Sequence, residues 1–271
     1  MALRFSRITT LMEKDIIEIT KSKYVLLSII FMPLLLAILM PVSMITPFTL
    51  VPENERQTES LPGLNILPPP IPQWNNLDDF QKSIVVMVYF SHVFFLLVPA
   101  ILPSVIAADS IAGEKSRKSF EAILATPLKN SEILIAKVGL PFLIGMFGTL
   151  IGLIPYSILV YYTTINILGF NILLDINFLL LIFLFAPACS LFTSICMVFV
   201  SSRVSNTRDA QQLGSLIILP LIIYLIVQVI LAVFSPVALV VGSLILFVID
   251  FILIKFITDI FSRENILTKF S

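Results

Sequence analysis

Residues 213–254 read LGSLIILPLIIYLIVQVILAVFSPVALVVGSLILFVIDFILI, and Asp250 is the one acidic or basic side chain among them. A bilayer's hydrocarbon core is about 30 Å thick and is crossed by about 20 apolar residues in a helix, the form that satisfies its own backbone groups in lipid. Extended to Ile257, the run is roughly twice the length of one crossing, and Ser235-Pro236 near its middle is the natural point of reversal. Two spans joined by a tight hairpin follow, Leu213 to Phe234 and Pro236 to Ile257.

Working outward, four more runs have the length of a crossing: Val25 to Pro47, Ile84 to Ala107, Val138 to Tyr162 and Phe178 to Val200. The chain has 271 residues, of which 58% are hydrophobic and 13% charged, about half the charge usual for a soluble domain. The fold class is therefore an all-α integral membrane protein with six transmembrane helices, residues 1–271 forming a single transmembrane domain. Polar residues precede the first run and no A-x-A site follows it, so it reads as a retained helix rather than a cleaved signal.

Seventeen cations balance seventeen carboxylates, which leaves no basic face for nucleic acid. One histidine and two cysteines cannot assemble a zinc site of ordinary spacing. HExxH, GxSxG and GxxxxGK[ST] are absent, so the chain itself carries no ATPase motif and is not expected to be an enzyme. Cys189 and Cys196 are read as buried apolar residues.

The cations are unevenly placed. Arg4, Arg7, Lys14, Lys21 and Lys23 precede the first span, and Lys115, Arg117, Lys118, Lys129 and Lys137 lie between the second and third. Arg203 and Arg208 lie between the fourth and fifth, and Lys255, Arg263 and Lys269 at the C-terminal end; the opposite side has Arg56 and Lys82 among Glu53, Glu55, Glu59, Asp78, Asp79 and Asp175. The positive-inside rule places both termini in the cytoplasm. The loop from Val51 to Lys82 is then external, its LPPPIP run favouring an extended conformation and Trp74 suited to a membrane interface; it is read as a solvated connector or as a cap. It has no N-x-[ST] sequon, in keeping with a prokaryotic cell membrane.

Between spans two and three stands ADSIAGEKSRKSFEAILATPLKNSEILIAK, Ala108 to Lys137. Gly113 permits a turn, and Ser119 to Leu124 reads as a short helix with Phe120, Ile123 and Leu124 on one face. Pro127 stops it at Thr126, and Asn130 or Ser131 can cap a new helix carrying Glu132 in its first turn. TLMEKDIIEITKSK, Thr10 to Lys23, has Thr10 and Glu13 in capping-box spacing and Met12, Ile16 and Ile19 on one side, so it should lie flat at the inner interface.

This ordered pattern resembles the cytoplasmic segment of type-2 ABC exporter permeases: I-A-x-E-K, a basic turn, a short helix ending in A-T-P, then a serine and, six residues on, a lysine opening the next span. The match rests on Gly113, Glu114, Lys115, Phe120, Glu121, Leu124, Ala125, Thr126, Pro127, Ser131, Glu132 and Lys137, while Lys118-Ser119 stands where family members have Gly-Thr. The resemblance implies that Gly113, Glu114, Lys115, Phe120, Glu121, Leu124, Thr126 and Pro127 couple to an ATPase, the Phe and Leu as knobs in its cleft. It also implies that the stretch containing KDIIEI is a connecting helix. Separate ABC ATPase subunits would bind the ATP and Mg, this chain needing no cofactor, and a second permease copy or related chain would complete the pore. The alternative is a non-transporting ABC-associated membrane protein serving assembly, sensing or immunity.

Three polar residues within spans are candidates for the transport path. Asp250 is costly in lipid and either contacts cargo or is paired, with Lys255 as partner. His92 and Gln228 either bond a neighbouring helix or line the path. Pro99 and Pro103 should bend span two, and Gly148 and Gly152, with Gly145 nearby, give a close-packing stripe for a neighbour in the subunit or in a dimer.

Overall fold

The structure is a computed structural model that describes residues 5–52, 55–56, 61, 69–126 and 128–260. Arg4, Glu53, Glu59, Pro127, Arg263 and Lys269, and the start of the LPPPIP run, lie outside the described residues. Ten α-helices form among those described, and no strand. They are α1 Phe5–Lys21, α2 Lys23–Thr49, α3 Asp79–Phe95, α4 Leu97–Ser116, α5 Phe120–Leu124, α6 Asn130–Leu168, α7 Ile176–Leu180, α8 Ala186–Arg203, α9 Thr207–Phe234 and α10 Pro236–Ile260.

Six helical stretches are long and apolar enough to cross a membrane, as the sequence implies: Val25–Thr49, Asp79–Ser116, Asn130–Leu168, Ile176–Arg203, Thr207–Leu231 and Pro236–Thr258. The second is the most buried and forms the axis, α4 packing on α2, α6, α8 and α9. Span two breaks at Leu96 between α3 and α4, three residues before Pro99, whose missing N–H leaves the Phe95 carbonyl without its helical partner. Pro103 continues within α4. Pro187 has a similar effect in span four, which passes through one wide π-helical turn, Leu181–Phe185, just before it. Ser235 makes the predicted reversal: extended itself, its hydroxyl accepts the Val237 N–H (3.2 Å) and so caps α10, with Pro236 at its first position.

Small residues let the axis close up. A Cβ on Gly145 would collide with Pro103 and Ser190, one on Gly148 with Leu102, and one on Gly152 would press on Phe95 and the Pro33 backbone. The glycine stripe is thus spent inside the subunit, against α2, α3, α4 and α8. On the other side of α4, the Ser201 hydroxyl of α8 donates to the Ala108 carbonyl and accepts the Ala112 N–H, both at 2.8 Å.

The loop between spans one and two is more than a connector where it is described. Ile71, Trp74 and Leu77 join the core formed by Phe80, Ile84 and Tyr156, so Trp74 is buried in the protein instead of standing at a membrane interface. Tyr89 donates to Asp175 (2.6 Å), and Asn177 donates to Tyr89 (3.2 Å) and to the Pro70 carbonyl (3.4 Å), fastening the loop's end to α3 and α7.

Gly148→Leu should overpack the α6–α4 contact and lower stability by about 1–3 kcal/mol. Gly139→Ala, whose new methyl would meet only the Met12 side chain at 3.7 Å, should be neutral. Thermal unfolding and the monodisperse fraction in detergent distinguish them.

Candidate functional site

Helix α1 meets the cation-rich segment between spans two and three at one end of the bundle. Span two continues as helix to Ser116, so Gly113 is not a turn; it is buried mid-helix, and a Cβ there would occupy the place of the Asp109 carboxylate. That space lets Asp109 accept from Arg117 (3.2 Å) and from Thr207 of α9 (2.8 Å). The turn comes at Lys118, the one non-glycine residue with positive φ (56°) among those described. The Lys118 N–H bonds the Lys115 carbonyl (3.0 Å) and the Ser119 N–H the Glu114 carbonyl (2.9 Å), the paired bonds of a Schellman cap. This is the position where the resembled family has glycine, since a left-handed backbone costs a side-chain-bearing residue about 1–2 kcal/mol.

Helix α1 differs from its expectation. It starts at Phe5, so Thr10 is inside it, its hydroxyl bonded to the Ser6 carbonyl, and is no cap. Its buried side is Ile8, Leu11 and Asp15, whereas Ile16 is 45% exposed. Asp15 is buried because it meets Lys137 of α6, a lysine only 1% exposed, at 2.8 and 3.1 Å. Lys137 in turn lies 3.0 Å from Glu114 of α4, also 1% exposed. The same Glu114 oxygen binds Lys14, which is 3.6 Å from Asp15. Lys14, Glu114, Lys137 and Asp15 thus form a closed ring of alternating charge across α1, α4 and α6.

A tail of weaker contacts extends the ring. Lys14 is 3.5 Å from Glu18, Glu18 is 3.6 Å from Arg117, and Arg117 returns to Asp109. The carboxylates of Asp15, Glu18 and Glu114 approach closely enough to suggest a cation site, but the Lys14 ammonium is within reach of all three. Burial, the largest influence on Lys14, lowers its pKa; the hydrogen bond and charge of Glu114, with Asp15 and Glu18, outweigh it and leave the pKa above the ordinary 10.5. The ring's Lys14 contribution is therefore complete below 10.5 and lost as pH rises through the raised folded value.

The segment expected to couple forms the short helix α5, and its apolar face is turned inward. Phe120 is 2% exposed and packs with Ile123 against Ile8, Leu11, Ala108 and Leu134, so it is not a knob presented to a partner. The outward surface of α5 is Glu121, Ala122 and Ala125. Leu124 ends α5, though its side chain, like Pro127, lies outside what is described; the Thr126 hydroxyl donates to the Ile123 carbonyl just after the helix. Lys115 donates to the Ser202 (2.6 Å) and Val204 (3.2 Å) carbonyls, closing the C-terminus of α8. Helix α6 begins at Asn130 with Lys129 as its cap residue, ahead of the expected Asn130 or Ser131, and buried Glu132 accepts the Lys129 N–H at 3.0 Å.

The three intramembrane candidates do not converge. His92 is 3% exposed among Phe178, Tyr89 and Tyr156, ring centroids 4.7–5.8 Å away, with neither nitrogen bonded among the described residues. Gln228 of α9 lies in the gap left by Gly242 of α10, where a Cβ would meet its amide. Asp250 lies eight residues further along α10, about 12 Å by helical rise. Its carboxylate is buried facing inward with no hydrogen-bond partner among the described residues. Lys255 is exposed, and a five-residue step turns it about 140° around the helix, so the expected Asp250–Lys255 pair does not form.

A bundle of six helices able to cross a membrane, with an amphipathic helix and a charged, helix-bearing loop locked together at one end, is the architecture of a multi-pass membrane protein. The chain belongs to the ABC-2 family transporter proteins, whose profile matches residues 9–254 and so includes the ring, α5, the first five spans and most of the sixth. It is a membrane permease component of an ABC transporter. No curated protein and no solved structure matches it.

Lys137→Met should strip the ring of its buried cation and cost about 3–5 kcal/mol, the penalty of leaving a buried partner uncompensated. Adding Asp15→Asn should restore part of that loss, measured as coupling in a double-mutant cycle of thermal unfolding. Lys118→Gly should raise stability by about 1 kcal/mol by relieving the left-handed turn, read in the same assay.

Proposed function

We propose that this chain is the membrane subunit of an ATP-driven exporter, a single transmembrane domain paired with a second permease copy or a related chain and driven by separately encoded ATPase subunits. ATP and Mg bind those subunits, and neither is held here. The observation that carries the reading is the location of α5. It packs on α4 at the cytoplasmic end of the bundle, and Phe120 and Ile123 tie it into the apolar cluster shared by α1, α4 and α6. Force applied to its outer face reaches three helices at once, including the axial α4.

The charge bias supports cytoplasmic termini, and the loop from Val51 to Lys82, without an N-x-[ST] sequon, suits a prokaryotic cell membrane. Gly113, Glu114, Lys115, Phe120, Glu121, Leu124, Thr126 and Pro127 then divide into two roles. Glu121, with Ala122 and Ala125, meets the ATPase, and the buried members hold the segment in place. Closure of the ATPase pair on ATP moves α5, and the bend at Leu96 lets the outer half of span two respond separately. Asp250, His92 and Gln228 are the candidate polar contacts for cargo on that path.

Ala122→Asp with Ala125→Asp should release the ATPase during co-purification while thermal stability stays near wild type, because both positions are exposed. Phe120→Ala should instead lower stability by about 3–5 kcal/mol, as loss of a buried Phe does. Retention of the partner and of ATP-coupled transport in liposomes by the double Asp variant would contradict coupling through this face.

A further inference from the structure

Beside the ring lies a cleft of about 280 Å³ bounded by α1, the start of α2, α4, α6 and the first turns of α9. Its two walls differ in chemistry. Ile19, Val25, Val105, Ile106 and Leu140 form an apolar wall that continues toward the membrane-spanning part of the bundle. The other wall carries four carboxylates, Asp15, Glu18, Asp109 and Glu114, against two cations, Arg117 and Lys137. Counting Lys14, bound from behind to Glu114, the group still has one negative charge in excess.

The local hydrogen bonding points the same way. Glu114 binds both lysines through one oxygen, and its second, buried oxygen has no partner among the described residues. The Ser110 hydroxyl, also on this wall, is likewise without one. A buried carboxylate oxygen left unmatched is costly, and a donor bearing positive charge meets that need best. A small inorganic cation would answer the charge but leave the apolar wall unused.

We propose that this cleft binds an amphipathic primary ammonium compound, its ammonium group among Glu18, Asp109 and Glu114 and its hydrocarbon part against Val25, Val105 and Ile106. The site opens at the level where α1 meets the first span, where an amine with an alkyl tail concentrates at a bilayer surface. A free alkylamine and a membrane lipid with an ammonium headgroup share this chemistry. Calling the ligand a substrate rests on the exporter reading; binding itself does not, and is measured on the permease without its ATPase.

The probe is octylamine, titrated calorimetrically into the detergent-solubilised full chain, with octanol and octanoate as matched neutral and anionic controls. Octylamine should bind saturably and the controls should not. Val105→Phe, which fills the apolar wall, and Glu18→Gln, which removes a carboxylate outside the ring, should each weaken binding about tenfold, the scale of one charge-assisted hydrogen bond or one lost apolar contact surface. Repeating the titration in nanodiscs separates the two sources of ligand. Competition by phosphatidylethanolamine over phosphatidylglycerol assigns the site to a lipid headgroup, and unchanged affinity assigns it to a free amine. Equal binding of octanol, or full affinity in both variants, overturns the proposal.

Discussion

Lys137 is a lysine with almost no exposed surface at the start of a membrane-spanning helix, and the arrangement of this end of the protein depends on how its charge is met. Asp15 and Glu114 meet it from two other helices, and Lys14 closes the ring by neutralising the excess they create. Each member satisfies two others. Breaking any pair leaves a buried charge exposed to a low-dielectric surround, where attraction and penalty are both larger than in water.

Such a ring contributes less to net stability than to fixing one arrangement, because desolvation offsets most of the Coulombic gain. Apolar packing of Ile8, Leu11, Phe120 and Leu134 supplies the cohesion, and the ring sets its register. Sliding α1 by one turn would separate Asp15 from Lys137 and bring Asp15 or Arg7 to the buried place of Leu11. Register matters at a junction where, on the proposed function, a displacement passes from a short helix to the axis of the bundle. The weaker tail through Glu18, Arg117 and Asp109 is more exposed and counts for less, yet it brings α9 into the same assembly through Thr207.

The six spans and the reversal at Ser235-Pro236 were legible because they depend on length and composition alone. The glycine stripe was legible as a close contact but not in its partner, since small residues mark where a backbone approaches and not whose. Asp250 and Lys255 show the reverse: a five-residue spacing already excludes a shared helix face, and the structure places them apart. Phe120 was expected outward because the resemblance implied a knob for an ATPase, and the apolar face of a short helix reads the same whichever neighbour covers it; here it joins the apolar cluster of α1, α4 and α6. Asp15 was hidden inside KDIIEI, where a carboxylate reads as a polar-face residue. Its signal was the need of Lys137 for an anion, which sequence spacing cannot connect across 122 positions.

The most direct test of the ring as the register-setting contact is hydrogen–deuterium exchange of α1 in the detergent-solubilised chain, compared between wild type and Lys137→Met. In wild type, α1 amides should exchange as slowly as the neighbouring ends of α4 and α6, because all three open together. In the variant, α1 should exchange much faster while the Ser235 hairpin at the far end stays unchanged. Unaltered α1 protection in Lys137→Met would mean that apolar packing alone holds the helix and that the ring does not set its position.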